Sequence, residues 1–205
     1  MDSRLPLYNE TFYTKEEITD DLQRQLDPFA VHRVLSAYEM AMNVHEYQLR
    51  NDATPYFWHL SRVARIIVKE LQYYSSDVIA AALLHDALED SHILTADVIS
   101  YNLGPHVCHI VETLTKDLSL TGEARRKEEE RYIQALRESD LDCKIVKFAE
   151  RLDNYRCIEF GVKRNPFQYI EETEKLYYPI GEETNDPHLL HLVRAMKFIQ
   201  RKLVA

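Results

Sequence analysis

Apolar residues recur at helical spacing along most of this chain. Between residues 29 and about 48 they fall at Val31, Val34, Leu35, Tyr38, Ala41, Met42 and Val44, one face of a helix with 3.6 residues per turn. Residues 56 to about 73 repeat the pattern with Leu60, Val63, Ala64, Ile67 and Leu71, and residues 141–160 repeat it with Ile145, Val146, Phe148, Ala149 and Leu152. Residues 78–84 differ, being apolar at every position, as in a helix buried on all sides. That helix is predicted to start at the Ser75-Ser76-Asp77 cap cluster and to end near Glu89.

The polar positions supply the punctuation. Thr14-Lys15-Glu16-Glu17 has capping-box form and predicts a short helix, and Asp27-Pro28 opens the next. Residues 50–55 are polar, end in proline and read as a loop. Thr95 caps a short helix to about Tyr101; Gly104-Pro105 is a turn, and helix resumes to Leu114. Residues 121–131 are dense in charge and read as a solvated loop or helix face, with 121–130 the one candidate flexible insertion before helix over 131–138. After the Asn165-Pro166 break, helices are predicted over 167 to about 178 and 187 to about 204. No repeat and no strand alternation interrupts this. The prediction is an all-α helical bundle forming one domain over residues 1–205.

Composition narrows the function. The net charge of −9 disfavours general binding to a nucleic-acid backbone or an anionic membrane. It leaves room for a small phosphorylated substrate, which local cations and a metal can hold. No apolar run approaches the roughly 20 residues that cross a bilayer, and the first residues lack the apolar core of a signal peptide. Cysteines stand at 108, 143 and 157, an odd number without CxxC spacing, which fits a reducing cytoplasmic setting.

The candidate chemistry sits where the wholly apolar helix ends, at His85-Asp86-Ala87-Leu88-Glu89-Asp90. If the helix continues, His85 stacks with Glu89 and Asp86 with Asp90, since residues four apart share a face. Imidazole and carboxylates at the tip of an apolar support point to a metal or acid–base site; the plain alternative is a helix end with solvated charges. His59, after Tyr56-Phe57-Trp58, reads alone as a packed histidine. Glu150, flanked by Phe148, Ala149 and Leu152, is costly to bury without a partner.

Taken together, the order His59, then His85-Asp86, then an acidic residue at 150 resembles the HD phosphohydrolase superfamily. The segments narrow the resemblance to RelA/SpoT-type alarmone hydrolases. His45-Glu46-Tyr47-Gln48-Leu49-Arg50, Pro55-Tyr56, His59 and Val63-Ala64 resemble the opening motif of that family; residues 81–90 resemble its AALLHD-x-x-ED element. Gly104-Pro105-His106-Val107 and Leu114-Thr115-Lys116 sit where it has FG-x-x-V and TK, residues 147–156 resemble KLADRLHN-x-R, and Glu172-Thr173 with Tyr177-Tyr178-Pro179-Ile180 resembles its closing stretch. The likeness covers about residues 30–181 and omits the synthetase and regulatory domains of long members, as in a stand-alone small alarmone hydrolase.

The resemblance implies an HD-domain bundle in which His59, His85, Asp86 and Glu150 hold one divalent metal, Mn²⁺ in the family, with Fe²⁺ and Co²⁺ acceptable to similar ligands. It implies Glu89 and Asp90 as the catalytic pair, and a guanosine nucleotide as substrate, stripped of its 3′-pyrophosphate. Arg50 would lie against the base and Asn154 near the metal and ribose, with Lys116 and Lys147 as phosphate contacts. The chain departs from the family with Glu150 in place of Asp, Asp153 in place of His, Cys157 where many members carry a hydroxyl beside the substrate, and Asn51 in place of a basic residue. Two other readings stay open: a phosphatase for another ribose phosphoester, such as the 2′-phosphate of NADPH, and a binding module that senses a nucleotide without turnover.

Overall fold

A computed structural model describes residues 5–90 and 94–204, and its regular elements are helices. The start signals work as the sequence predicts. Thr14 caps α1 (Lys15–Leu22) in a reciprocal box with Glu17. Asp27 accepts from the Phe29 and Ala30 amides at the head of α2 (Pro28–Val44). The loop after α2 is closed by a single bridge between Leu49 and Pro55, and leads into α3 (Tyr56–Arg65). Ser75 caps α4 (Ser76–Leu84), and the four-residue α5 (Ala87–Asp90) follows a turn. Thr95 caps α6 (Ala96–Leu103); Gly104, at φ 99°, turns directly into α7 (Pro105–Leu114). Then come α8 (Gly122–Glu138), α9 (Leu141–Arg156) capped by Asp140, α10 (Pro166–Glu172) capped by Asn165, α11 (Tyr178–Glu183) and α12 (Pro187–Val204). Single π turns extend α3 over Ile66–Glu70 and join α10 to α11 over Thr173–Tyr177.

The all-apolar helix sets the architecture. Every residue from Val78 to Leu84 is at most 1% exposed, and α4 packs on α2, α3, α7 and α9. Each Leu, Ile or Val buried there contributes about 1.5–3 kcal/mol relative to exposure. A helix with no polar face has only one place to go, and that place is the centre of the bundle. Its C-terminal end therefore opens among α3 and α9, which carry His59 and Glu150.

The structure corrects two expectations. First, α4 ends at Leu84 rather than near Glu89, with His85 and Asp86 forming a turn before α5. His85 Nδ1 bonds the Ala82 carbonyl at 2.8 Å. That carbonyl would accept the Asp86 amide if the helix continued, so the side chain competes with the ladder. The His85–Glu89 stack on one unbroken helical face is accordingly absent. Second, residues 121–130 are not a flexible insertion but the first part of α8. Lys127–Glu123 and Arg125–Glu129 pairs at i,i+4 spacing lace its solvated side, while Tyr132 and Leu136 anchor the other end in the core.

Close packing also constrains Gly181 on α11. A Cβ there would stand 2.7 Å from Phe148 Cε1 on α9 and 2.8 Å from Val193 Cγ2 on α12. Gly181→Ala is expected to lower stability by about 1–3 kcal/mol through overpacking, read as a lower urea midpoint with an unchanged m-value; an unchanged midpoint would show that α11 can yield.

Candidate active site

At the end of α4, His59, His85 and Asp86 come together, each offering a ligand atom within 4.8 Å of the others. His85 is 2% exposed, and its Nδ1 is committed to the Ala82 carbonyl. Its Nε2 is buried, makes no hydrogen bond and lies 3.2 Å from Asp86 Oδ2. A neutral His85 thus presents a lone pair to a carboxylate oxygen, an arrangement that calls for a proton or a cation between them. Burial works to depress the His85 pKa, but Asp86 and then Glu150 outweigh it and hold it up. Burial likewise works to raise Asp86, yet His85 and the Tyr56 hydroxyl, donating to Oδ2 at 2.7 Å, keep it well below the usual carboxylate range. This nitrogen–oxygen set, with an orphaned buried imidazole nitrogen at its centre, fits a divalent metal.

His59 is prepared from behind. Its Nδ1 lies 2.6 Å from Asp153 Oδ2, while burial and Arg50 bring its pKa down to about 4 against that carboxylate. The ring is therefore neutral near pH 7, which is the ligating form. Glu150 lines the same cavity but stands outside the group of three. Lys147 Nζ lies 3.0 Å from its Oε2, and Asn154 donates to its Oε1. Burial opposes ionisation of Glu150, yet Lys147, Lys163 and Arg151 bring it down to about 2.

Glu89 stands on the cavity wall, where its Oε1 accepts the Lys116 amide at 2.7 Å. Burial and the neighbouring Asp86 charge push its carboxyl up to about 7. The side chain of Asp90, expected as its partner, lies outside the described residues. Arg50 also lines the cavity, with its guanidinium bonded to the Asn154 amide oxygen and 3.5 Å from Asp153 Oδ2. Asn154 is fully engaged, reaching Glu150 and the Tyr169 hydroxyl as well.

The cavity over these groups measures about 360 Å³. Five cationic side chains line it, Arg50, Lys116, Arg125, Lys147 and Lys163, against the carboxylates of Asp86, Glu89 and Glu150. Lys116 lies 4.2 Å from the Tyr132 ring centroid, and burial with the nearby Lys147 charge lowers it to about 8. Burial also lowers Lys163. On Lys147 burial acts the same way, but Glu150 reverses the balance and raises it. Leu49, Leu114, Leu118 and Val162 give the cavity an apolar wall. Such a space suits an anion with a flat or apolar part.

Sequence reasoning missed several of these residues. Tyr56 shares a turn with His59, and Arg62 lies three residues beyond it, spacings that place all three on one helical side. Arg125, in the charge-dense stretch read as solvated, and Lys163, in the loop before α10, border the cavity without any motif to mark them, and Arg125 does so while half-exposed in its pair with Glu129. Two departures from the family pattern are not in the cavity wall: Asp153 and Cys157 are both fully buried, joined through Arg62. Asn51 does line it and donates to the Val162 carbonyl at 3.0 Å. Trp58 stacks on Phe12, at 5.3 Å between centroids, outside the cavity. A second grouping, His109, Asp140 and Cys143, has ordinary work to do, as Asp140 caps α9 and pairs with His109 at 3.4 Å.

The profile of the HD domain family matches residues 37–185. The chain is 30% identical over 156 residues to guanosine-3′,5′-bis(diphosphate) 3′-pyrophosphohydrolase MESH1 of Drosophila melanogaster, covering 75% of this chain and 83% of that one. It is 31% identical over 168 residues to GTP pyrophosphokinase rsh of Brucella suis biovar 1 (strain 1330), covering 80% of this chain and 22% of that longer one. A solved structure described as a metazoan ortholog of SpoT that hydrolyzes ppGpp and plays a role in starvation responses shares the fold, with a TM-score of 0.69 at 24% identity over 83% of this chain and 94% of that one. A profile match across most of the length, with a relative matched over most of its own, gives the assignment: this chain belongs to the HD domain family.

Proposed function

We propose that this protein is a metal-dependent pyrophosphohydrolase that removes the 3′-pyrophosphate from guanosine tetra- or pentaphosphate. The observation that carries the reading is a cationic cavity built over a nitrogen–oxygen metal group in a chain whose net charge is −9. The names of the relatives supply the substrate class, and the cavity chemistry is compatible with it.

His59, His85 and Asp86 would hold the cation, Mn²⁺ on the family resemblance, with Glu150 as the fourth candidate once its carboxylate leaves Lys147. Such a cation supplies Lewis-acid polarisation of a phosphoryl group and acidifies water. Lys116, Arg125, Lys147 and Lys163 neutralise the phosphates, and beside buried protein walls each such contact is stronger than in bulk water. Arg50 and Asn154 face the nucleoside beside the apolar wall. Water attacks the phosphorus attached to the ribose 3′-oxygen, the P–O3′ bond breaks, and pyrophosphate and a 3′-hydroxyl result. Glu89 takes the proton of the attacking water. Its Oε1 is held by the Lys116 amide, so Oε2 is the basic oxygen, and a carboxyl near 7 is matched to proton transfer at neutral pH. Asp90 is assigned the supporting role beside it.

Of the three departures around which a different nucleotide phosphatase would alter its pocket, Asp153 and Cys157 lie behind His59 and outside the cavity wall, whereas Asn51 lines it. A panel of nucleotides with Mn²⁺ is expected to show pyrophosphate release from guanosine tetraphosphate. Phosphate release from NADPH alone would defeat the alarmone assignment. Binding of nucleotide with neither product would instead mark a sensor.

Glu89→Gln is expected to lower kcat by about 10²–10⁴-fold, the usual worth of a positioned base, with Mn²⁺ content by elemental analysis unchanged. The protonated carboxylic acid cannot accept a proton, so activity is lost as pH falls through the Glu89 pKa. Log kcat/KM should therefore decline with unit slope on the acid side, below a value at or under about 7. The same limb persisting in the Glu89→Gln enzyme would assign it to another group.

A further inference from the structure

The cavity side of His59 is its ligating side; the other side is built from Asp153, a departure from the family pattern, together with Arg62 and Tyr8. We infer that Asp153 is a positioning residue that locks His59 in the Nδ1–H tautomer, so that Nε2 carries the lone pair presented to the metal, and that Arg62 and Tyr8 hold Asp153 in that register. The inference rests on the reading of His59, His85 and Asp86 as the metal group.

The arrangement leaves the carboxylate little freedom. Asp153 is 0% exposed. Its Oδ1 accepts from Arg62 Nε at 2.8 Å and from the Tyr8 hydroxyl at 2.9 Å. Its Oδ2 accepts from Arg62 Nη2 at 3.2 Å and faces His59 Nδ1 at 2.6 Å. A carboxylate paired with arginine is an acceptor only, so the proton on the short contact belongs to His59 Nδ1. A neutral imidazole carries one N–H, which leaves Nε2 unprotonated. A carboxylate behind a ligating histidine is a general means of fixing its tautomer and ring orientation.

Arg62 is in turn fixed by the fold. It is 0% exposed, and beyond its two bonds to Asp153 it donates through Nη1 to the carbonyls of Asn9 and Thr11, at 3.1 and 2.8 Å, and through Nη2 to Cys157 Sγ at 3.6 Å. All five N–H groups of the guanidinium are thereby used. The segment before α1 consequently braces the site: Tyr8 grips the carboxylate, and the Asn9 and Thr11 carbonyls grip the cation that neutralises it.

The test compares wild type with Asp153→Asn and with the double variant Arg62→Met/Asp153→Asn. The single change leaves the buried Arg62 charge uncompensated and should destabilise. Removing both charges should restore much of the melting temperature. Mn²⁺ affinity, measured by electron paramagnetic resonance of the free ion, is expected to fall about 10–100-fold in both variants. Long-range ¹⁵N–¹H correlation of the metal-free wild type should show His59 protonated at Nδ1, and the variants should shift towards Nε2–H. A double variant that regains stability and binds Mn²⁺ like wild type would reduce Asp153 to a structural ion pair. A wild-type His59 protonated at Nε2 would overturn the inference without any variant. Mn²⁺ binding that depends on Asp153 in a protein that leaves guanosine tetraphosphate intact would uphold the positioning role while defeating the proposed reaction. Turnover of that nucleotide with Mn²⁺ affinity indifferent to Asp153 would do the reverse.

Discussion

With His85 neutral, the lone pair on its Nε2 and an oxygen of Asp86 face one another 3.2 Å apart at the buried end of α4, beneath the cavity floor. Two acceptors held that close repel unless positive charge lies on or between them. The rest of the site can be read as the means of keeping this unfavourable pair in place. The buried α4 prevents the floor from receding, because moving His85 outward would drag apolar side chains into water. The Ala82 carbonyl fixes the ring, and the Tyr56 hydroxyl fixes the carboxylate. The protein thus holds a charge-deficient spot ready, and a proton can fill it as well as a cation. That competition is a physical reason for metal retention to weaken in acid.

Much of this was legible in the sequence, and the reasons differ by element. The continuous apolar run of α4 had no alternative but central burial, so the position of His85-Asp86 at a buried tip followed from hydrophobicity alone. Cap residues marked most helix starts because their side chains satisfy amides that the helix itself leaves unpaired. The end of α4 was less visible. Whether a histidine continues a helix or takes its carbonyl depends on tertiary surroundings, and here the ring that bonds the Ala82 carbonyl sits edge-on to His59 from another helix. The helical character of α8 was hidden for another reason. Its first turns bury almost nothing, and their support comes from charge pairs that a hydrophobicity pattern does not register.

The role of Asp153 could not be read locally at all. Its partners His59 and Arg62 lie 94 and 91 residues away, and Tyr8 lies 145 away. In sequence, an aspartate where the family has histidine looks like damage to the substrate pocket. In the structure it belongs with Arg62 and Cys157 to a buried layer behind His59, where it serves as a hydrogen-bond acceptor. Glu150 is a different case. Expected as a ligand beside His59, His85 and Asp86, it lines the same cavity but stands outside that group, its carboxylate held by Lys147 and Asn154, a choice of partner that composition alone does not give.

The contact between Tyr8 and Asp153 joins nearly the first described residues to α9. Closing a loop of that length costs chain entropy that local helices never incur, so this link forms late if the rest of the bundle is not already condensed. During synthesis the segment before α1 leaves the ribosome long before its anchor exists. That segment must therefore wait for α9 before the brace behind His59 can close, and a nascent chain halted short of α9 would carry both histidines without the carboxylate that aligns the first of them.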